Sequence, residues 1–221
     1  MEMKWTVGAN PQPSGAFFSP WFGMDPADNM NLIQPVNPWM GSSWSAYTEY
    51  YQWSDGYNSN SHSINVLAGQ TLHGTLTYMP SSDSYNLTQT VVETGANSQQ
   101  VVACQDGKKY NLPYVVYEKV FPCYAYPPDQ FVLFRDIKIE CDNADCTNSV
   151  QWKPMVKDAN CDMQAHINSN GTISITWDTS AQSKYDDKSP QELFDINYNG
   201  WATKIPSLKR PAVPEGSIEQ K

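Results

Sequence analysis

The stretch PYVVYEKVF at residues 113–121 decides the fold class of this chain. Read with a period of two, one face of the segment carries Tyr114, Val116 and Glu118 while the intervening residues point the other way. A helix would need apolar residues every three to four positions, whereas a period of two is typical of a β-strand with both faces partly buried. The stretch therefore predicts a strand that brings a carboxyl group among apolar side chains.

The same alternation recurs along most of the chain. It predicts eight further strands, at residues 45–53, 62–68, 71–79, 85–93, 100–104, 131–140, 150–156 and 173–177. Short polar turns rich in Gly, Asn and Asp separate many of these segments. Many strands joined by short turns indicate an all-β protein, either an antiparallel sandwich or a barrel.

Both ends of the chain depart from this pattern. Six prolines interrupt the first 40 residues, which are predicted to hold only short extended pieces. Near the other end, Ser189, Pro190 and Glu192 form a capping box with proline at the first helical position, which predicts one short helix before Asn197. We expect a single domain over residues 1–205, followed by a flexible Pro-rich tail over residues 206–221.

Composition excludes several classes of function. The 221 residues carry a formal net charge of −9 and no basic cluster, which argues against nucleic acid or an anionic membrane as partner. No stretch approaches the roughly 18 apolar residues of a membrane span. We expect a monomer, and the lack of clustered metal-ligand spacings indicates no metal and no other cofactor.

Cysteine usage and the N-terminus bear on the compartment. The chain has five cysteines, and because this number is odd, at least one thiol stays unpaired. Cys141 and Cys146 bracket a polar turn and predict a small local disulfide, and their spacing alone does not make a zinc site. The first residues contain no signal-peptide core, so the chain either stays inside the cell or begins after a removed leader. We favour a secreted protein or one of an acidic compartment, with the cytoplasm as the alternative.

Two glutamates stand out from the other acidic residues. Glu118 lies among valines and tyrosines, and Glu49 shares a predicted strand face with Tyr47 and Tyr51. Burial among such side chains raises a carboxyl pKa, as a group that acts as both acid and base at low pH requires. The alternative is a glutamate at a sheet edge that reaches water or pairs with a lysine.

Three paired segments, taken in order, resemble the glutamic peptidases of the eqolisin family. They are WFGMD (21–25) with LIQ (32–34), SAYTEYY (45–51) with INVLAGQ (64–70), and YVVYEKVF (114–121) with FVLF (131–134). Each segment alone is common, but their shared order and spacing over roughly residues 20–140 are more specific. The resemblance implies a concanavalin-like jelly roll, in which two bent antiparallel sheets form a sandwich with a substrate groove.

The resemblance also implies an active site. Gln34 and Glu118 match the family's catalytic pair, in which the glutamate activates water and the glutamine stabilises the oxyanion. Trp21, Asp25 and Glu49 match residues that line or brace the groove, and we expect Tyr47 and Tyr51 to contact the polypeptide substrate beside them. The implied activity is an endopeptidase that works in acid and needs no metal.

Two other functions fit the same pattern. The first is a non-catalytic module that binds a glycan or peptide on an aromatic platform, made of Trp39, Trp44, Tyr47, Tyr51 and Trp53. The second is a glycoside hydrolase that uses Glu49 and Glu118 as its two carboxyls, which would have to lie roughly 5–10 Å apart.

Overall fold

We describe the protein from a computed structural model. It covers residues 1–12, 16–52, 57–104, 107–118, 122–157, 159–189 and 192, and every structural statement below concerns these residues. Fifteen strands occupy most of this part of the chain. The predicted C-terminal tail at residues 206–221 lies outside it.

Seven strands form the first sheet, in the order β14-β15-β11-β1-β7-β8-β9. All neighbouring pairs in this sheet are antiparallel. The strands are β1 (Glu2–Thr6), β7 (Thr71–Met79), β8 (Ser84–Val91), β9 (Asn97–Ala103), β11 (Phe131–Lys138), β14 (Gln164–Ser169) and β15 (Thr172–Thr176).

Six strands form the second sheet, in the order β10-β2-β3-β4-β5, with β6 also paired to β4. They are β2 (Ser19–Pro26), β3 (Asn31–Val36), β4 (Trp44–Gln52), β5 (Tyr57–Asn60), β6 (Ile64–Val66) and β10 (Tyr110–Glu118). A separate hairpin joins β12 (Glu140–Cys141) to β13 (Ala144–Asp145). The prediction of an all-β antiparallel sandwich is confirmed.

The core lies between the two sheets and is rich in aromatic rings. Trp5 on β1 contacts Phe22 on β2 edge to face, with the ring centroids 5.9 Å apart, and lies 5.5 Å from Phe134 on β11. All three rings are completely buried. Because alternate residues of each strand point into this core, the residues between them point away from it. That rule places the candidate site on the outer side of the second sheet.

The N-terminal prolines do not prevent strands, so the prediction of only short extended pieces is wrong. β2 runs for eight residues and β3 for six, both inside the second sheet. The ladder between them pairs Trp21 with Val36 and Met24 with Ile33, and Pro35 lies in the gap between these pairs. A proline lacks the N–H that a continuous ladder would need, and the interruption accommodates it.

One predicted strand is absent and one predicted cap is present. Residues 150–156 form no strand, because Pro154 breaks the run and the segment pairs with no described neighbour in a ladder. Ser189 and Glu192 make the reciprocal hydrogen bonds of a capping box, from Ser189 N to Glu192 Oε2 and from Glu192 N to Ser189 Oγ. The remainder of the predicted short helix lies outside the described residues.

The described residues contain two disulfides. Cys141 and Cys146 form the predicted local bridge, and Cys123 pairs with Cys161 across 38 residues of sequence. The fifth cysteine, Cys104, is a buried free thiol. Sequence spacing could predict only the first pair, since the second depends on how the two sheets come together.

Candidate functional site

The outer side of the second sheet carries its own cluster of side chains, which we call the groove face. Trp21, Leu32 and Val36 are buried there although they are separate from the main core. Three tyrosines and a valine pack around them, namely Tyr47, Tyr51, Tyr114 and Val116. Because side chains alternate along a strand, Gln34, Glu49 and Glu118 project from this same face.

Gln34 is held on the groove face by Glu49. The two residues are paired on neighbouring strands β3 and β4, and Gln34 Nε2 donates a hydrogen bond of 2.5 Å to Glu49 Oε2. Asn58 on β5 donates from its side-chain amide to the other oxygen, Glu49 Oε1. An amide nitrogen carries two N–H groups, so the Gln34 amide can serve Glu49 with one and a ligand with the other.

The carbonyl end of the Gln34 side chain is also unusual. Gln34 is only 3% exposed, and its Oε1 atom makes no hydrogen bond to the described protein. A buried acceptor without a partner costs free energy, and such groups concentrate where a ligand or water completes the site.

Glu118 is held by a tryptophan. It lies at the end of β10, paired with Ser19 of β2, and Trp21 Nε1 donates a hydrogen bond of 3.0 Å to Glu118 Oε2. Trp21 itself is paired with Val36 on β3, the strand that carries Gln34. An indole N–H has one direction only, and the bond therefore fixes the orientation of the carboxyl.

Tyr47 lies within the electrostatic influence of both glutamates. Burial raises the pKa of the Tyr47 phenol, and the negative charges of Glu49 and Glu118 raise it further. The phenol therefore keeps its proton and can donate a hydrogen bond across the acid range. Tyr47 thus lies near both the Gln34–Glu49 pair and the Trp21–Glu118 pair.

Asp25 is a carboxyl on the groove face whose charge changes near neutrality. Burial raises its pKa to about 7, with a further contribution from the charge of Asp28. Its Oδ1 atom is buried and makes no hydrogen bond to the described protein. Burial, followed by the charge of Asp25, raises the pKa of Tyr114. Asp25 is thus mostly protonated and neutral in acid well below pH 7.

The groove face brings together the seven residues predicted for the site: Trp21, Asp25, Gln34, Tyr47, Glu49, Tyr51 and Glu118. It also adds Asn58, which sequence reasoning missed because an asparagine near a hairpin is an ordinary turn residue. Its role is visible only from the pairing of β4 with β5.

The aromatic platform of the binding-module alternative does not form as predicted. Trp39 and Trp44 are buried in the main core, 1% and 2% exposed, and pack against each other and against Phe18. Trp53 lies outside the described residues. Of the five predicted stacking residues, the groove face retains Tyr47 and Tyr51.

Two kinds of feature are missing from the described residues. No group of three or more His, Cys, Asp or Glu residues there is arranged to hold a metal ion. None of the helices in this part of the chain combines the length and the apolar composition of a membrane-spanning helix.

Comparison with known proteins finds similarity in structure only. No protein-family profile and no curated protein sequence matches this chain. Scytalidoglutamic peptidase, solved with a transition-state analogue inhibitor, superposes with a TM-score of 0.60 at 16% identity over 80% of this chain and 90% of that one.

Two other solved structures are similar to this chain. Aspergilloglutamic peptidase from Aspergillus niger gives a TM-score of 0.53 at 15% identity over 73% of this chain and 98% of that one. An eqolisin peptidase, SCP-B, in complex with the tripeptide Ala-Ile-His gives 0.52 at 14% identity over 80% and 90%. The chain has the fold of the glutamic peptidases, which confirms the predicted resemblance at the level of the fold.

Proposed function

We propose that this protein is a diverged glutamic peptidase, an endopeptidase that hydrolyses peptide bonds in acid on the groove face. The observation that carries the proposal is that this face holds both members of the predicted pair, each by a hydrogen bond of its own: Gln34 to Glu49 and Glu118 to Trp21. The peptidase fold supports it, since every solved structure reported above is a peptidase.

In the proposed mechanism, Glu118 is first the base and then the acid. Its carboxylate takes a proton from a water molecule while the water oxygen bonds to the scissile carbonyl carbon. The second N–H of Gln34 donates to the resulting oxyanion, a contribution typically worth about 10²–10³ in rate. As the C–N bond breaks, protonated Glu118 gives its proton to the departing amine and returns to the carboxylate form.

The remaining residues position this pair. Glu49 and Asn58 hold the amide of Gln34, and Trp21 holds the carboxyl of Glu118. Tyr47, Tyr51 and neutral Asp25 would contact the substrate. A site that loses the negative charge of Asp25 below about pH 7 suits a peptide at acidic pH, because fewer charges must be desolvated when the peptide binds. The two disulfides suit an oxidising compartment, and so we propose a secreted protein.

The test is cleavage of an unfolded protein across pH 2–7 by the wild type and two variants, Glu118→Gln and Gln34→Ala. We expect cleavage in acid that each variant reduces at least 100-fold. Glu140→Gln and Gln99→Ala are matched controls at exposed positions, and they should cleave like the wild type. Full activity of Glu118→Gln would contradict the proposal. Retention of glycans without proteolysis would instead support the binding module.

A further variant tests the role of Trp21. Trp21→Phe keeps an aromatic, though smaller, ring but removes the N–H that orients Glu118. Since a hydrogen bond to a charged group is worth about 1.5–3 kcal/mol, we expect kcat/KM to fall about 10- to 100-fold. The control is Trp152→Phe, since Trp152 Nε1 makes no hydrogen bond to the described protein. Equal kinetics in the two variants would remove Trp21 from the proposed site.

A further inference from the structure

A second concavity adjoins the groove face, at the end of β4 away from Tyr51. It is an open cavity of about 460 Å³, and seven of the eight residues that line it present a hydroxyl or an amide. No lining residue is charged, and the eighth is Met40. We call it the polar cavity. Tyr47 belongs both to this cavity and to the groove face.

Strand register places the polar cavity next to Glu49, the residue that holds Gln34 of the proposed catalytic pair. Ser45, Tyr47 and Glu49 alternate along β4 and so project from one face, while Asn60 of β5 is paired directly with Glu49. Asn65 of β6 is paired with Ser45 and closes the far side. Successive residues on one face of a strand lie about 6.6 Å apart, so the cavity extends about 7–13 Å from Glu49.

The wall of the cavity is held in place by hydrogen bonds to both sheets. Ser61 Oγ accepts from Thr48 N at 2.8 Å and lies 2.6 Å from Ser98 Oγ. Ser98 in turn donates to the carbonyl of His62. Thr48 and Ser98 are completely buried and belong to β4 and β9, one strand of each sheet. The loop that carries Ser61 is therefore fixed before any ligand binds, as a specific site requires.

We infer that the polar cavity is a substrate subsite that takes a neutral polar side chain of the polypeptide, such as Ser, Thr, Asn or Gln. This inference rests on the proposed peptidase function and adds a specificity to it. Gln34 is hydrogen-bonded to Glu49 and an extended peptide advances about 3.3 Å per residue, so the recognised residue lies about two to four positions from the one bound at Gln34. Hydroxyl and amide groups bind such a side chain, whereas an aliphatic one would leave them without partners. An acidic side chain would meet the nearby carboxyl of Glu49.

The test uses a set of peptides that share one cleavable core and differ at one position, with Ser, Asn, Gln, Leu or Glu placed two, three or four residues from the cleaved bond. Cleavage is measured with the wild type as kcat/KM. Binding is measured separately, as Kd by fluorescence anisotropy on the inactive Glu118→Gln protein. At one of the positions we expect Asn or Gln to be favoured over Leu about 5-fold in both measurements, the value of one hydrogen bond.

Variants of residues that line the polar cavity test whether the preference arises there. Asn65→Leu and Ser43→Val replace exposed polar groups at its rim with aliphatic ones, and either should remove or reverse the Asn-to-Leu ratio. Gln99→Leu makes the same kind of change on an exposed position of the other sheet and should leave the ratio unchanged. The readout is a ratio within each variant, so a general loss of activity does not mimic the effect.

The outcomes separate this inference from the proposed function. Cleavage with no preference, or with a preference that both cavity variants leave intact, overturns the subsite while the peptidase stands. Selective binding by Glu118→Gln that Asn65→Leu abolishes supports the subsite even if the wild type cleaves nothing, in which case the peptidase falls. If the protein neither binds nor cleaves any of the peptides, both the subsite and the peptidase function are overturned.

Discussion

At the residue scale, the groove face depends on polar groups that are buried but incompletely paired. Gln34 Oε1 and Asp25 Oδ1 make no hydrogen bond to the described protein, whereas Glu49 accepts from two amides. Such an arrangement is expensive in a structural core and is found where a ligand or water supplies the missing partners. The residue whose electrostatics can be tested directly is Asp25.

The raised pKa of Asp25 predicts a stability that falls as pH rises. The folded protein holds this proton up to about pH 7, while the unfolded chain releases it near pH 3.8, so the folded state binds more protons between these values. Stability is therefore fully present below about pH 4 and is lost progressively towards pH 7. Because the side chain is partly exposed, we expect a loss of about 1–2 kcal/mol rather than the full value of the pKa shift.

Urea unfolding at pH 4, 5.5 and 7 measures this effect, and Asp25→Asn should remove it. The matched control is Asp136→Asn, since the hydrogen bond from Lys4 lowers the pKa of that exposed aspartate and its contribution changes with pH in the opposite sense. If the stability of the wild type depends on pH in the same way as that of Asp25→Asn, the pKa of Asp25 is not raised in the folded protein.

At the element scale, strands β2 and β3 approach each other closely at Gly23. A Cβ atom at this position would lie 2.7 Å from the carbonyl oxygen of Ile33 and 3.1 Å from Cβ of Gln34. The neighbour is backbone and cannot move away cheaply, so glycine is required for the two strands to place Gln34 beside the groove.

Gly23→Ala should therefore weaken both stability and the proposed activity. Overpacking of this kind costs about 1–3 kcal/mol, which corresponds to a fall in Tm of roughly 3–10 °C for a domain of this size. Gly171→Ala is the control, because its nearest contacts would be at 3.9 Å. Thermal unfolding and peptidase assays on both variants give the comparison. An unchanged Tm for Gly23→Ala would mean that β2 and β3 separate easily.

The strand predictions agree with the structure where alternation of side chains is the dominant signal. They disagree where the prediction rests on the local effect of proline. β7 spans the predicted residues, and β10 begins three residues before the prediction. β1, in which Met3 and Trp5 alternate with more polar residues, is one of the short extended pieces predicted for the first 40 residues. The prolines of β2 and β3 were judged from local propensity, but the gap in the β2–β3 ladder that accommodates Pro35 is a property of two strands together.

At the scale of the whole molecule, one disulfide joins the two sheets. Cys123 follows β10 of the second sheet and Cys161 precedes β14 of the first, so this bridge closes a loop of 38 residues. The Cys141–Cys146 bridge closes a loop of only five. A crosslink stabilises by restricting the unfolded chain, and the effect grows with the length of the loop.

Removal of each bridge should therefore cost different amounts. From loop entropy we expect a loss of about 4 kcal/mol for the pair Cys123→Ala and Cys161→Ala, against about 2 kcal/mol for Cys141→Ala and Cys146→Ala. The free energy of unfolding, measured in urea for each double variant, tests the order. The replacement of Cys104, the free thiol, serves as a control without a crosslink. Equal losses for the two bridges would contradict the entropic explanation.

The sequence by itself determined the fold class, the local disulfide and the face on which each candidate residue lies, because a period of two and a spacing of five residues are local properties of the chain. Through the order of the motifs it also supplied Gln34 and Glu118 as candidates for the catalytic pair. Only the tertiary structure decided their partners: Trp21 on Glu118, and Glu49 with Asn58 on Gln34. It likewise placed Trp39 and Trp44 in the core and opened the polar cavity beside Tyr47. These features depend on strand order and register, which bring together residues that are distant in sequence and which no local pattern encodes.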